Sequence, residues 1–186
     1  GNCHKWLCAP KGAAFLYARP EHHPLLEPPV ISWGYWAERL GPSGLDCMTG
    51  SSLLEQRLLW QGTRDICAFL TIPSAIDFHN RPEVAAQRQQ CHARAANALQ
   101  RVCELTGLPP QSTDEDFAQM VVLPVPMMDT DTLKNTLYDR YRIEIPVRPH
   151  NGQQLVRISV QVYNTDEDVD KLIAALTEIY RLRKQS

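Results

Sequence analysis

The sequence predicts an α/β protein whose second part is a small α+β domain. Two patterns carry this prediction: an apolar stripe with helical spacing over residues 82–106, and a β-α-β-β-α order of apolar patterns from residue 117 to the C-terminus. A chain of 186 residues is long enough for two small domains. We place the boundary at the start of the long helix, so that the domains cover 1–81 and 82–186.

The first domain has few regular patterns. An apolar run predicts a strand over residues 12–18. The segment 66–78 is apolar enough for a helix despite Pro73, and Asp65 is a suitable N-cap for it.

The second domain has clearer signals. Pro82 suits the first turn of the long helix, and Gly107 suits its C-terminal end. The following patterns predict strands over 117–125, 143–147 and 155–163, and helices over 130–141 and from about residue 166. We expect these helices to pack on one face of the sheet.

Composition argues against several classes of function. The net charge is −2 and the chain has no long basic run, so the sequence does not indicate a site for nucleic acid or for an anionic membrane surface. No apolar stretch approaches the ~20 residues that a membrane-spanning helix needs. The six cysteines are scattered without a CxxC pair, which is typical of reduced thiols in a cytoplasmic protein. Cys3, His4 and Cys8 lack a fourth ligand at a familiar spacing, so we predict no metal site.

A candidate nucleophile, Lys5, lies near the start of the chain. It precedes a short apolar run, a proline and a patch of small residues at 12–14. A lysine in a tight and largely apolar turn is poorly solvated, which favours the neutral amine that forms a Schiff base with an aldehyde. Small residues would let the backbone approach a flat ligand closely. On the spacing alone, a solvent-facing lysine is the better interpretation, because Lys-x6-Gly is a common pattern.

Gly62 and Thr63 form a candidate phosphate site ahead of the predicted helix 66–78. Backbone N–H groups, a hydroxyl and the positive end of a helix dipole together hold phosphates in proteins. Most such sequences, however, are ordinary helix caps. The adjacent Arg64 is equally well interpreted as a ligand for substrate or phosphate and as a member of a surface salt bridge.

Arg157 is a candidate carboxylate ligand in the predicted strand 155–163. A planar guanidinium can hold a carboxylate through two parallel hydrogen bonds. The alternative is a half-buried arginine that pairs with an acidic residue of its own chain. Alternation predicts that the opposite face of the strand carries Val156, Ile158, Val160 and Val162.

Three separated segments resemble the class V aminotransferase family, of fold type I, and in particular its isopenicillin N epimerase-like branch. They are HKWLCAPKGAAFLY from His4, WQGTRD from Trp60 and RISVQVYN from Arg157. The chain departs from the family pattern at Asn2 and Cys3, where small residues are usual. The resemblance implies the C-terminal portion of a longer enzyme, with 1–81 as the end of its large α/β domain and 82–186 as its small domain.

The resemblance also implies a cofactor and roles for the candidate residues. The cofactor is pyridoxal 5′-phosphate, with Lys5 as the Schiff-base lysine and His4 beside the cofactor. Gly62 and Thr63 would contact the cofactor phosphate of a neighbouring subunit, which implies a homodimer. Arg157 would bind the α-carboxylate of an amino acid substrate, and Arg64 would meet substrate or phosphate.

Several reactions remain open on this fold. Proton transfer at the α-carbon gives epimerisation or transamination, and loss of a substituent gives C–S elimination or desulfuration. Desulfuration of the cysteine desulfurase type needs a mobile cysteine, for which Cys47 is the candidate, although its loop comes early in the chain. The alternative without catalysis is an inactive fragment or a dimerisation module that lacks the upstream half of the site.

Overall fold

The computed structural model describes residues 1–32, 35, 52–59 and 61–183. The segment around Cys47 lies outside the described residues. Contacts divide the chain into a first unit, Gly1–His79, and a second unit, Asn80–Ser186.

The first unit begins with a short pairing of the N-terminus with residues 13–15. Asn2 and Ala14 form an isolated antiparallel bridge, and the Phe15 N–H donates to the Gly1 carbonyl oxygen at 2.9 Å. The strand predicted over 12–18 is therefore wrong, because pairing stops after this bridge. The side chains beyond it are exposed, and the chain turns into a 3-10 helix at Pro20–Leu25.

Three short helices complete the described part of the first unit. They are α1 (Leu53–Leu59), α2 (Cys67–Leu70) and α3 (Ile72–His79). The single helix predicted over 66–78 is thus divided at Thr71. Pro73 has no N–H to donate and fits only the first turn of a helix, so a new helix begins one residue before it.

The described part of the second unit is a three-stranded antiparallel sheet with three α-helices and a short 3-10 helix at Asp114–Asp116. The chain runs through α4 (Pro82–Thr106), β1 (Met120–Val125), α5 (Thr130–Tyr141), β2 (Val147–His150), β3 (Gln153–Ser159) and α6 (Asp166–Arg183). The strand order is β1-β3-β2, so β3 is central. The predicted helices 82–106 and 130–141 are confirmed. Gly107 ends α4 in a left-handed conformation with φ of 70°.

The core of the second unit lies between one face of this sheet and the three helices. Val121 pairs with Ile158 and Leu123 with Val156, and all four are buried. Paired residues of an antiparallel sheet point to the same face, so this face is the one that the helices cover. The helix side of the core includes Ala95, Ala98, Val102, Leu133, Leu137, Leu172, Ala175 and Leu176.

The tight turn at Asn151-Gly152 shifts the strands from their predicted positions. Both residues have positive φ, 48° and 74°, as a two-residue hairpin turn requires. The turn fixes His150 opposite Gln153, so β2 runs over Val147–His150 and the strand predicted over 143–147 is wrong. β3 correspondingly starts earlier than predicted and ends at Ser159, which leaves Val162 45% exposed instead of buried.

None of the described helices combines the length and the apolar character needed to cross a bilayer.

Candidate active site

His4 and Lys5 lie in a loop that backbone hydrogen bonds close on two levels. At its base, the Cys3 N–H donates to the Ala13 carbonyl oxygen at 3.1 Å. Inside the loop, the Cys8 N–H donates to the Lys5 carbonyl oxygen at 3.0 Å, and Cys8 has a left-handed φ of 61°. These bonds define the course of the backbone at Lys5.

The side chains of His4 and Lys5 are exposed. Within the described residues, the Lys5 amine makes no hydrogen bond or ion pair. The expected desolvation of Lys5 by its own loop is therefore wrong, because the Lys5 side chain is exposed and the described residues of the loop do not cover it. The loop does provide an amine that has no acidic partner in the described part of the chain, on a backbone held by hydrogen bonds.

The small residues after Lys5 pack the loop against α2 and α3. Ala13 is 2% exposed and belongs to a small apolar cluster with Phe69. A Cβ at Gly12, where φ is 108°, would lie 3.5 Å from the Ala68 Cβ. The backbone conformation thus requires glycine at position 12, whereas a Cβ there would make only an ordinary van der Waals contact with α2.

Gly62 and Thr63 lie on an exposed bend ahead of α2. Gly62 has a φ of 90°, and the nearest atom to a Cβ placed there is the Ser32 Oγ at 3.9 Å, so the space beside it is open. The Thr63 hydroxyl has no hydrogen-bond partner among the described residues. An open glycine and an unpaired hydroxyl are compatible with a phosphate ligand.

The α2 N-terminus itself contributes less to such a site than the sequence pattern predicts. α2 begins at Cys67, and the Cys67 N–H already donates to the Asp65 carboxylate at 2.8 Å. This hydrogen bond lowers the pKa of Asp65, which keeps the carboxylate charged. Any phosphate at Gly62-Thr63 would have to be held by the bend and not by the helix.

Arg64 is engaged within its own segment. Its guanidinium donates to the Gln61 Oε1 at 2.7 Å and to the Leu59 carbonyl oxygen at 3.0 Å, and it lies 5.1 Å from the centre of the Phe69 ring. These contacts favour a structural role over ligand binding, although the partners are neutral groups and not the acidic residue of a salt bridge.

Arg157 lies on β3 in the second unit, on the sheet face away from the helices. It is exposed and stands opposite Val122 of β1. Among the described residues its guanidinium has no ion pair or hydrogen-bond partner, so the alternative of an arginine paired within its own chain does not describe it. It lines two clefts, of about 230 and about 610 Å³. The guanidinium can therefore donate hydrogen bonds to the carboxylate of a ligand.

The larger cleft also contains two basic residues for which the sequence predicted no role, Arg148 and His150. The prediction of a strand at 143–147 ended just before them. The Asn151-Gly152 turn was the signal that could have placed them on a strand, since such a dipeptide fixes the preceding residues in a hairpin.

The predicted site residues divide between the two units. His4, Lys5, Gly62-Thr63 and Arg64 belong to the first unit, and Arg157 to the second. In the parts of the chain that the structure describes, no cluster of His, Cys, Asp and Glu is arranged to hold a metal ion. The residues present fit an aldehyde- and phosphate-bearing cofactor, because they include an amine and, next to an open glycine, a hydroxyl that have no partner among the described residues.

Comparison with known proteins gives relatives over almost all of this chain. An isopenicillin N epimerase of Amycolatopsis lactamdurans is 35% identical over 182 residues, which are 96% of this chain and 46% of that protein. A probable chloroplastic L-cysteine desulfhydrase of Arabidopsis thaliana is 31% identical over 205 residues, 97% of this chain and 39% of that protein. The chain therefore spans less than half the length of these relatives.

A solved structure has the same fold. The cysteine desulfurase CsdA of Escherichia coli matches with a TM-score of 0.52 at 17% sequence identity, over 68% of this chain and 33% of that chain. An identity this low shows the fold alone. Because this neighbour is a fold-type-I enzyme, the predicted fold class is confirmed.

A family model described as aminotransferase class-V matches residues 2–172. The matched region includes Lys5, Gly62-Thr63 and Arg157. The cofactor of this family is pyridoxal 5′-phosphate, as the sequence predicted. The chain belongs to the class-V aminotransferase family.

Proposed function

We propose that this chain is part of a pyridoxal-phosphate enzyme that acts at the α-carbon of an amino acid, by epimerisation or transamination. The main support is the Lys5 loop, which lies inside the family match and presents an exposed amine without an acidic partner among the described residues. The 35% identity to an isopenicillin N epimerase supports an epimerase-like reaction. When bound, pyridoxal phosphate supplies an electron sink for negative charge at the substrate α-carbon.

Each candidate residue has a role in this proposal. Lys5 holds the cofactor through its amine and, when released, moves protons at the α-carbon. His4 lies beside the cofactor. The Gly62 N–H and the Thr63 hydroxyl hold its phosphate. Arg157 holds the substrate carboxylate, which orients the bonds at the α-carbon.

We further propose that the enzyme is a cytoplasmic homodimer in which Gly62 and Thr63 serve the cofactor of the neighbouring subunit. Their exposure on an open bend is compatible with a phosphate that belongs to another chain. Arg64 is proposed to support this bend through its contacts with Gln61 and Leu59, with substrate contact as the alternative role.

Covalent trapping tests the proposal. The purified full-length protein is treated with pyridoxal phosphate and borohydride, digested, and mapped by mass spectrometry. We expect one reduced adduct, on Lys5, which disappears in Lys5→Arg. Lys11→Arg is the matched control, because Lys11 is an exposed lysine of the same loop. Labelling that persists in Lys5→Arg, or that spreads over many lysines, would contradict the proposal.

A second candidate reaction is C–S elimination from a cysteine-like substrate. It is supported by the 31% identity to a probable L-cysteine desulfhydrase. The two reactions have different products, since elimination releases sulfide, whereas epimerisation leaves the substrate composition unchanged. Measuring sulfide and optical rotation in the same incubation with L-cysteine decides between them.

A further inference from the structure

The open face of the second unit's sheet has more positive charge than binding of one carboxylate needs. The cleft of about 610 Å³ on this face contains the side chains of Arg148, His150 and Arg157, and none of its described lining residues is acidic. Its walls include the apolar side chains of Val122 and Leu155. The cleft therefore combines apolar walls with two guanidinium groups that no acidic residue of its described lining neutralises.

Strand register brings the two arginines close together. Arg148 on β2 stands opposite Leu155 on β3, and Arg157 follows Leu155 by two residues on the same strand face. Such diagonal neighbours lie about 7–8 Å apart, with their Cβ atoms somewhat closer. The Arg157 N–H also donates to the Pro146 carbonyl oxygen at 3.0 Å, which holds β2 against β3 at this point.

Neither guanidinium has an ion pair or hydrogen-bond partner among the described residues. The two arginines are exposed diagonal neighbours and not a directly opposite pair, so a carboxylate between them would interact with both positive charges. In the smaller cleft, the described residues Glu144 and Asp168 line the same space as Arg157 but form no ion pair with it. The described lining of the larger cleft offers no carboxylate, so a ligand carboxylate can meet both guanidinium groups there without displacing an ion pair of the chain. Arginine is well suited to this, because its planar fork binds a carboxylate bidentately.

We propose that Arg148 is a specificity-determining residue that binds a second, distal carboxylate of the substrate. The inference rests on the proposed function, in which Arg157 binds the α-carboxylate. With one carboxylate at Arg157 and another at Arg148, the substrate class becomes amino acids that bear a further carboxylate. The part of the substrate between the two groups lies along the apolar wall at Leu155.

The test uses two unreactive ligands of equal carbon number, the dicarboxylate glutarate and the monocarboxylate valerate. Both lack an amine, so their binding to the full-length holoenzyme does not depend on chemistry at Lys5. Their affinities are measured by isothermal titration calorimetry. We expect glutarate to bind at least ~10-fold more tightly than valerate, since a second charge-assisted hydrogen bond is formed.

Variants assign this preference to a residue. Arg148→Met should remove the preference for glutarate and leave valerate binding unchanged, whereas Arg157→Met should weaken both ligands. Arg148→Lys, which keeps the charge but loses the fork, should retain part of the preference. Arg142→Met is the control, because Arg142 is an exposed arginine of the same unit that does not line the cleft.

Three results would overturn the inference: equal affinities in the wild type, a preference that persists in Arg148→Met, or no binding of either ligand. Failure here is distinguishable from failure of the proposed function. Labelling of Lys5 without a glutarate preference would reject only the role of Arg148. A glutarate preference without Lys5 labelling would leave the cleft as a dicarboxylate site and reject the proposed chemistry.

Discussion

Replacing Arg157 by methionine should reduce catalysis without reducing stability. Its guanidinium is exposed and has no partner among the described residues, so its loss should change the free energy of unfolding by less than ~0.5 kcal/mol. A charge-assisted hydrogen bond to the substrate carboxylate contributes about 1.5–3 kcal/mol, which corresponds to a loss of about 10- to 150-fold in kcat/KM. Arg157→Lys should fall between wild type and Arg157→Met, because it keeps the charge without the fork.

Arg94 of α4 supplies the matched comparison. Its Nε donates to the Asp166 carboxylate at 2.7 Å, and its guanidinium also donates to the Asn164 carbonyl oxygen at 2.9 Å. Arg94→Met should therefore lower the free energy of unfolding by roughly 1–3 kcal/mol and leave kcat/KM of the folded enzyme unchanged. Urea unfolding and steady-state kinetics on both variants give the comparison. Unchanged kcat/KM in Arg157→Met, or equal destabilisation of the two variants, would refute the reasoning.

Three further predictions concern the second unit. Gln154 is fully buried, and its side chain exchanges two hydrogen bonds of 3.0 Å with the Met128 backbone. Gln154→Leu should therefore lower the free energy of unfolding in urea by about 2–4 kcal/mol. An unchanged midpoint of urea unfolding would contradict this. Hydrogen bonds to the Ala118 carbonyl and to Asp114 raise the pKa of His92 in the folded state, so protonated His92 stabilises the fold. This stabilisation is complete below the ordinary pKa of ~6.5 and is lost as pH rises through the folded pKa. Thermal unfolding between about pH 5.5 and 8.5 should show that loss in wild type and not in His92→Gln. Gly107→Ala should cost about 1 kcal/mol from its φ of 70° alone, since a Cβ there meets nothing within 4 Å; a larger loss measured by urea unfolding would indicate a clash.

Local signals of the sequence were enough to predict the helices of the second unit. The α4 ends follow from Pro82 and Gly107, and α5 follows from Leu133 and Leu137, whose spacing marks a buried face. Such features depend on residues a few positions apart, so they can be predicted from the sequence without knowledge of the fold.

Strand limits were harder to predict because they depend on pairing partners. Val162 continues the alternation of β3, but pairing with β1 ends at Ser159 opposite Met120, so Val162 has no sheet to lie in. The run after Ala14 is β-like in composition and similarly finds no partner beyond one bridge.

The candidate site was predicted unevenly for the same reason. Lys5 and Arg157 were identified from short motifs, and the structure adds that neither has an ionic partner among the described residues. The contacts of Arg64 with a backbone carbonyl and with Phe69 cannot be predicted from the spacing of residues in the sequence. Arg148 became a candidate only once the hairpin register placed it diagonal to Arg157.

The central claim is that Lys5 moves protons at the α-carbon of an amino acid. The most direct measurement is proton NMR of an amino acid substrate incubated with the full-length holoenzyme in D₂O. We predict loss of the α-proton signal with wild type and with Lys11→Arg, and no loss with Lys5→Arg. Exchange that continues at the wild-type rate in Lys5→Arg would contradict the account, as would an unchanged α-proton signal with the wild type across amino acids with neutral and carboxylate side chains.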